Sequence, residues 1–308
     1  MAGSQHLPPP NAEEAFPNPE SGHAHAIASS RHPAKRRAFR KLHETGCFLL
    51  PNPWDVGSAL WLQRLGAVAL ATTSSGLAWS LGRPDGGVTC AEALAHLRAI
   101  VDATDVPVNA DFERGFGADL DAVHDNVRLA ARTGIAGLSL EDSTGIPASP
   151  RMGLRAAVER LRAARAALDA EGADVVLVGR AENFLVGHPD LADTIERLVA
   201  YADAGADCLY APGVRDRGDI AAIVAAVAPK PVNVLAGAGI GLSLRELEDL
   251  GVRRVSIGGA LARTAWTGFV RAATRLVGHG SFDGFADVMT HDSIDSAFRD
   301  RGPDAPSG

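Results

Sequence analysis

Eight short apolar runs punctuate this chain, and their number and spacing limit the folds open to it. They are "CFLLP" (47–51), "AVALATT" (67–73), "VPVNA" (106–110), "AGLSL" (136–140), "VVLVG" (175–179), "DCLYA" (207–211), "PVNVLA" (231–236) and "RRVSIG" (253–258). Runs this short and this rich in Val, Leu and Ile read as strands covered on both faces. Amphipathic stretches rich in Ala, Leu and Arg lie between them, among them 89–104, 119–133, 150–171 and 190–204, and these read as helices. Gly134, Gly205 and Gly251 each stand between a helix and the next strand, where glycine takes the left-handed helix-ending conformation without a Cβ penalty. Strand and helix alternating eight times is the count of a (β/α)8 barrel of the TIM type. The competing architecture is an open doubly wound sheet. No G-x-G-x-x-G turn follows the first run, which weakens its dinucleotide-binding form.

A chain of 308 residues that is 46% hydrophobic can bury a core of this size in one domain, expected over residues 31–298. Residues 1–30, rich in Pro, Ser, Ala and His and without periodicity, are expected to be a mobile tail, as are residues 299–308. No apolar run reaches membrane-spanning length, and the first residues lack the order of a signal peptide. A net charge of −7 disfavours a nucleic-acid partner. The one basic cluster, "RHPAKRRAFRKLH" (31–43), is read as the solvated face of a first helix. Cys47, Cys90 and Cys208 are odd in number and widely spaced, so neither a disulfide framework nor a zinc site follows. Cys47 and Cys208 sit in apolar stretches and read as core residues. A reducing, cytoplasmic location is expected.

In such a barrel the chemistry sits at the C-terminal ends of the strands. Polar residues collect there. Ser74, Ser75, Gly76 and Asp85 follow the second run, Asp111 and Glu113 the third, Glu141 and Asp142 the fourth, and Arg180, Glu182 and Asn183 the fifth; Tyr210 ends the sixth and Asn233 lies in the seventh. Carboxylates converging from successive strands repel one another unless a cation lies among them, and a hard divalent ion such as Mg²⁺ takes oxygen ligands while keeping waters. Residues two apart in extended backbone point the same way, so Asp111 and Glu113 are expected to address one ion together, with Gly115 and Gly117 turning the chain away to leave space for a substrate. Arg180 suits two-pronged binding of a carboxylate or phosphoryl group. The stretch "TSSGL" (73–77) is read as a loop offering backbone N–H groups and hydroxyls to a substrate carboxylate. The bland alternative is that these carboxylates form rim salt bridges with Arg114, Arg180 and other arginines.

These motifs together resemble the isocitrate lyase / phosphoenolpyruvate mutase superfamily over about residues 34 to 275. "SSGLAWSLGRPDGG" is similar to its Ser-Gly-Leu loop followed by an acid, here Asp85. "NADFERGFG" is similar to its Asp-x-Asp-x-Gly-Tyr-Gly motif, with Asp111 at the direct magnesium ligand and Glu113 at the second acid. "GLSLEDS" resembles its Glu-Asp motif, with Glu141 near the metal waters, and "VGRAENF" its substrate-contacting arginine, Arg180. The resemblance implies a barrel whose last helix is often exchanged between subunits of a homodimer or homotetramer. It also implies Mg²⁺ or Mn²⁺ and chemistry through an enolpyruvate-like intermediate. Two departures stand out. The superfamily's C–C lyases carry a Lys-Lys/Arg-Cys-Gly-His loop, whereas "EDSTGIPASPRMG" (141–153) has no Cys, Lys or His; and the position after the sixth strand is Pro212.

The expected function is therefore a Mg²⁺-dependent lyase acting on a small 2-oxo or 2-hydroxy carboxylic acid. Asp111 would hold the metal, Asp85, Glu113 and Glu141 would order its waters, and Arg180, Ser74, Ser75, Gly76, Leu77 and Asn233 would bind substrate. Tyr210, Ser143, Thr144 and His188 are the candidate proton donors. A phosphonomutase-like isomerase is the alternative, since that chemistry needs no cysteine. A non-catalytic barrel is the third reading, and the costly acidic cluster argues against it.

Overall fold

The computed structural model describes residues 21–237 and 239–299, the side chains of 21–31 excepted. Each apolar run contains a strand: β1 (Phe48–Leu50), β2 (Leu70–Ala71), β3 (Val108–Asp111), β4 (Gly137–Glu141), β5 (Val176–Arg180), β6 (Cys208–Tyr210), β7 (Val232–Leu235) and β8 (Arg254–Ser256). Between and around them lie α1 (Ser21–Leu42), α2 (Val56–Arg64), α3 (Ser74–Ser80), α4 (Cys90–Ala103), α5 (Leu120–Arg132), α6 (Leu154–Ala170), α7 (Leu191–Asp203), α8 (Arg217–Val227), α9 (Leu244–Asp249), α10 (Ala260–His279) and α11 (His291–Arg299). All strand pairs are parallel, in the order β1-β8-β7-β6-β5-β4-β3-β2, which is a (β/α)8 barrel closed but for one seam. At that seam the Ala71 N–H donates to the Pro51 carbonyl at 3.1 Å, and Asn52 staples the three neighbouring strand ends: its Nδ2 donates to the Thr72 carbonyl, and its Oδ1 accepts from the N–H groups of Ile257 and Gly258.

The helices begin where the sequence supplies a cap. Thr89 and Ser243 form capping boxes with Glu92 and Glu246, while Asp119 and Asp190 accept the N–H three residues on. Gly134, Gly205 and Gly251 take φ of 91°, 102° and 88°, the left-handed helix endings that the sequence requires.

The foot of the barrel departs from expectation. The basic stretch 31–43 does lie in a helix, α1, but that helix plugs the N-terminal end of the barrel instead of merely facing solvent. Phe39 is fully buried and makes edge contacts with His43 and Phe48. Lys35 Nζ donates to the carbonyls of Val101 and Thr104 at the end of α4, and Arg36 donates to those of Ala131 and Ile135 at the end of α5. Cations satisfy the orphan carbonyls and the negative pole of a helix end, so charge alone does not mark a solvated face. Gly137 makes the plug possible: a Cβ there would stand 2.4 Å from Asn109 Oδ1 and 2.6 Å from Phe39 Cε1. Of the expected tails 1–30 and 299–308, residues 1–20 and 300–308 lie outside the described residues, while 21–30 belong to α1 and Arg299 ends α11. No described helix is long and apolar enough to cross a membrane.

Candidate active site

At the C-terminal rim, β3 stops at Asp111, and the next residues leave the extended conformation. Glu113 has φ of 45° and Phe116 φ of 55°, left-handed values that cost a non-glycine residue on the order of 1–3 kcal/mol. The extended pairing expected of Asp111 and Glu113 is thus replaced by a turn, closed by the Gly115 N–H donating to the Phe112 carbonyl at 2.9 Å. Buried Phe112 holds the turn through an edge contact with Phe116, ring centroids 5.0 Å apart. Gly117 does not open space for a ligand: a Cβ there would lie 2.5 Å from Val123 N, so the glycine lets the loop settle on the first turn of α5.

Arg180 is the hub. Glu141, Arg180 and Tyr210 stand in register on β4, β5 and β6, so their side chains leave the sheet on one face. Arg180 Nη1 lies 3.3 Å from Asp111 Oδ1 and 3.3 Å from Glu141 Oε2, Nε donates to Glu182, and the guanidinium carbon sits 5.4 Å from the Tyr210 ring centroid. Asp111 Oδ2 accepts from the backbone N–H of Ser74 at 3.0 Å and from its hydroxyl at 2.9 Å. The stretch 73–77 is not a loop: Thr73 caps α3, which starts at Ser74. Ser74 and Ser75 face the rim, whereas Gly76 and Leu77 are buried behind it; a Cβ on Gly76 would come within 2.8 Å of Trp54 Cβ. Asn233 lies within the barrel, 1% exposed, donating to Ser256 Oγ at 2.9 Å and accepting from Arg254 Nε at 3.1 Å, so the structure does not bring it to the mouth.

The electrostatics are lopsided. Burial, then Asp111, pushes the Glu113 carboxyl up to about 7. Burial pushes Glu141 up to about 8 against the pull of Arg180. Asp85 is raised by burial and by Asp111, although it shares the Ser74 hydroxyl, and Glu182 is raised by burial despite Arg180. Burial opposes the charge on Arg180, but Glu182, Glu141 and Asp111 outweigh it and hold it protonated.

Among the described residues no three His, Cys, Asp or Glu side chains gather closely enough to enclose a metal ion. The donor set nevertheless fits Mg²⁺, which binds through one or two carboxylates and keeps several waters. Asp111 is the partly exposed oxygen donor, and burial first, then the charge on Asp111, raises the Asp85 and Glu113 carboxyls beside it.

Of the proton-donor candidates, only Tyr210 touches this cluster; burial pushes its hydroxyl up to about 12. Ser143 and Thr144 bond within their own turn, to Gly145 N and the Ser149 carbonyl, and His188 lies exposed. The thiols are inert: burial raises all three, Cys47 to about 11.

Two groups that the sequence places at strand ends, without assigning them a role, shape the site. Glu182 orients Arg180, and its i, i+2 spacing in "GRAEN" was its visible trace. Asp142, 1% exposed, turns away from Glu141 and accepts from Arg197 Nη1 at 2.9 Å, Tyr201 Oη at 2.7 Å and Glu182 N at 2.8 Å. Arg197 also donates to the Met152 carbonyl and to Asp193, which binds Arg151 and Asn183. Both ends of the 142–152 loop are therefore pinned to α7, an arrangement no local pattern reveals.

Comparisons with known proteins give the chain's family. The family model for phosphoenolpyruvate phosphomutase matches residues 39–277. A 2-methylisocitrate lyase of Escherichia coli K12 is 34% identical over 168 residues, 53% of this chain and 56% of that one. An uncharacterized Mycobacterium tuberculosis protein is 34% identical over 223 residues, 72% of this chain and 81% of its own. A crystal structure from Burkholderia cenocepacia J2315, described as that of a lyase/mutase, superposes with a TM-score of 0.84 at 46% identity, covering 89% of this chain and 99% of that one. Strand-end acids, the arginine hub and these matches lead to one conclusion: the chain belongs to the phosphoenolpyruvate phosphomutase family, within the superfamily of enzymes that includes isocitrate lyase-type lyases and mutases.

Proposed function

We propose that this protein is a Mg²⁺- or Mn²⁺-dependent lyase that cleaves a C–C bond of a small 2-oxo or 2-hydroxy carboxylic acid through an enolate. The observation that carries the reading is Arg180, its Nη1 3.3 Å from both Asp111 and Glu141 at the ends of neighbouring strands. Asp111 would hold the ion directly, with Asp85, Glu113 and Glu141 reaching it through water. A bound divalent cation supplies Lewis-acid polarisation of the substrate oxygens. Arg180, kept charged by its carboxylates and oriented by Glu182, donates to the oxygen on which negative charge grows. Such preorganised donors act without reorganising at the moment of reaction. Ser74 fixes Asp111, and Ser75 lies on the cleft wall where a substrate carboxylate would rest. Tyr210 keeps its proton at neutral pH and is the group we assign to protonating the enolate carbon. The E. coli relative's name supports carbon–carbon cleavage of a carboxylic acid.

A phosphonomutase-like reaction is the second reading. The absence of Cys, Lys and His from 141–153 favours it, because phosphoryl migration needs no thiol. The test is a turnover screen of 2-methylisocitrate, oxaloacetate, substituted malates, phosphoenolpyruvate and phosphonopyruvate with Mg²⁺ and then with chelator, followed by proton and phosphorus NMR. Chelator-sensitive release of a 2-oxo acid supports the lyase. Interconversion of the phosphorus compounds replaces it with the mutase. Turnover that survives chelation overturns both.

A further inference from the structure

Glu113 holds its place at the rim without a donor. Its side chain is 7% exposed, no described residue gives its carboxyl a hydrogen bond, and the Arg114 guanidinium stands off at 3.9 Å. Asp111 differs, taking bonds from Ser74 and Arg180. A second orphan lies on α4. The inward stripe of that helix is apolar at Ala93, Leu97, Ile100 and Val101, and His96 falls at its edge. The imidazole Nε2 is buried and has no hydrogen-bond partner among the described residues. Burial lowers the ring to about 4, so at neutral pH it is uncharged and carries one N–H.

Both orphans line one small chamber of about 10 Å³ behind the rim, with Asp111, Thr72 and Ser74 among its other walls. That space admits the centre of a single water. Thr72 and Ser74 are already engaged with Asp111: Thr72 Oγ1 accepts from the Asp111 N–H, and the Ser74 hydroxyl donates to its carboxylate. The polar groups still unspent are therefore the imidazole and the Glu113 carboxyl. A bridging water satisfies both at little cost beyond its own ordering.

We propose that one buried water occupies this chamber, accepting from His96 Nε2–H and donating to the Glu113 carboxyl, which makes His96 a positioning residue for that acid. The proposal deepens the Mg²⁺ centre and rests on it for what Glu113 does, though not for the water. His96 fixes the carboxyl that is to order the waters of the ion, in the way that outer-shell partners orient metal-binding groups.

The first test is a high-resolution crystal structure of the ligand-free protein. It should show a water within about 3.2 Å of both His96 Nε2 and the Glu113 carboxyl. A chamber without one, or a water that misses either group, overturns the proposal. Long-range ¹⁵N–¹H spectra should find His96 as its Nε2–H tautomer, and the Nδ1–H tautomer overturns the donor role. The second test separates positioning from packing by calorimetry of Mg²⁺. His96→Leu fills the space without a donor and should weaken Mg²⁺ about tenfold, whereas His96→Gln restores an N–H and should stay within about threefold of the wild type. A side chain that merely filled the core would let His96→Leu bind Mg²⁺ as the wild type does, and that result overturns the proposal, as does a His96→Gln no better than His96→Leu. Should His96→Leu fail to fold, the wild-type crystal structure decides alone. A wild type that shows the water but binds no Mg²⁺ overturns the metal centre while supporting the bridge between His96 and Glu113.

Discussion

The backbone N–H of Glu141 donates to the Glu113 carbonyl at 2.9 Å, so the two acids are joined through main chain. That bond holds Glu113 in its left-handed conformation, φ of 45°. Glycine adopts this conformation freely, whereas Gln keeps the strain. Glu113→Gly is expected to be more stable than Glu113→Gln by about 1 kcal/mol in urea unfolding, after the entropic cost of glycine is set against the strain. Both should lose Mg²⁺-dependent turnover. Equal stabilities would show that the turn stores no strain.

Asp111 is the carboxylate that Ser74 and Arg180 present together. Asp111→Asn keeps its size and its bond with Ser74 but removes the charge. Mg²⁺ binding by calorimetry should fall below detection while the circular dichroism spectrum stays unchanged. Retained Mg²⁺ affinity would move the metal to another carboxylate.

Asp142 and Arg197 form an ion pair at 2.9 Å, with side-chain exposures of 1% and 5%. Removing Asp142 leaves Arg197 with Asp193 as its remaining carboxylate and Tyr201 Oη without its acceptor, a loss of up to about 3 kcal/mol, the low end for a broken buried pair. Asp142→Ala should show that loss in urea, and Asp142→Ala with Arg197→Met should recover part of it. Because Arg197 also holds the Met152 carbonyl, limited proteolysis of Asp142→Ala should cut first within 142–152.

The barrel was legible because each element carries its own local mark: a doubly covered apolar run, a capping side chain, a closing glycine. Rim acids were legible for a similar reason, since strand ends can be located from the runs that precede them. What escaped depends on chain segments far apart in sequence. Asn233 stands in a strand like the rim residues, and only the position of Arg254, beside it on β8 and 21 residues on in the chain, shows that its amide is occupied. The basic stretch of α1 looked solvated because the carbonyls that receive Lys35 and Arg36 lie about 66 to 99 residues away in the chain. Asp111 and Glu113 fit an alternation rule that the φ of 45° at Glu113 breaks. Asp142 follows Glu141 directly, and nothing in "LEDS" tells the outward acid from the inward one.

His43 and His96 are held neutral inside the fold, burial lowering them to about 3 and about 4, and each has a buried Nε2 without a hydrogen-bond partner. The unfolded chain takes up these protons near pH 6.5 while the fold refuses them. Stability is therefore full above about pH 6.5 and falls as the pH drops toward the folded values. His43→Phe keeps the aromatic contacts with Phe39 and Phe48 and removes one such proton. Between pH 7 and pH 5 the wild type should lose up to about 2 kcal/mol relative to this variant in urea unfolding. Parallel pH curves would mean that His43 protonates within the fold.

Trp266, Phe269 and Val270 stand 41%, 62% and 53% exposed on α10, and Val277 and Phe282 follow at 85% and 72%. Trp266 and Phe269 stack edge to face at 5.6 Å, a preformed apolar ridge. Exposed aromatic surface of this extent marks an interface, and a second copy of the chain presents an equal ridge to cover it. The homodimer or homotetramer expected from the sequence would bury it. Light scattering should give a mass at least twice the 32.0 kDa of the chain. Phe269→Asp places a charge in the middle of the ridge and should shift the protein toward monomer, because an unpaired charge is costly to desolvate. Its melting temperature should become independent of concentration, while that of the wild type rises with it. A monomeric wild type would leave the ridge without this explanation, and an oligomer indifferent to Phe269→Asp would place the interface elsewhere on the barrel.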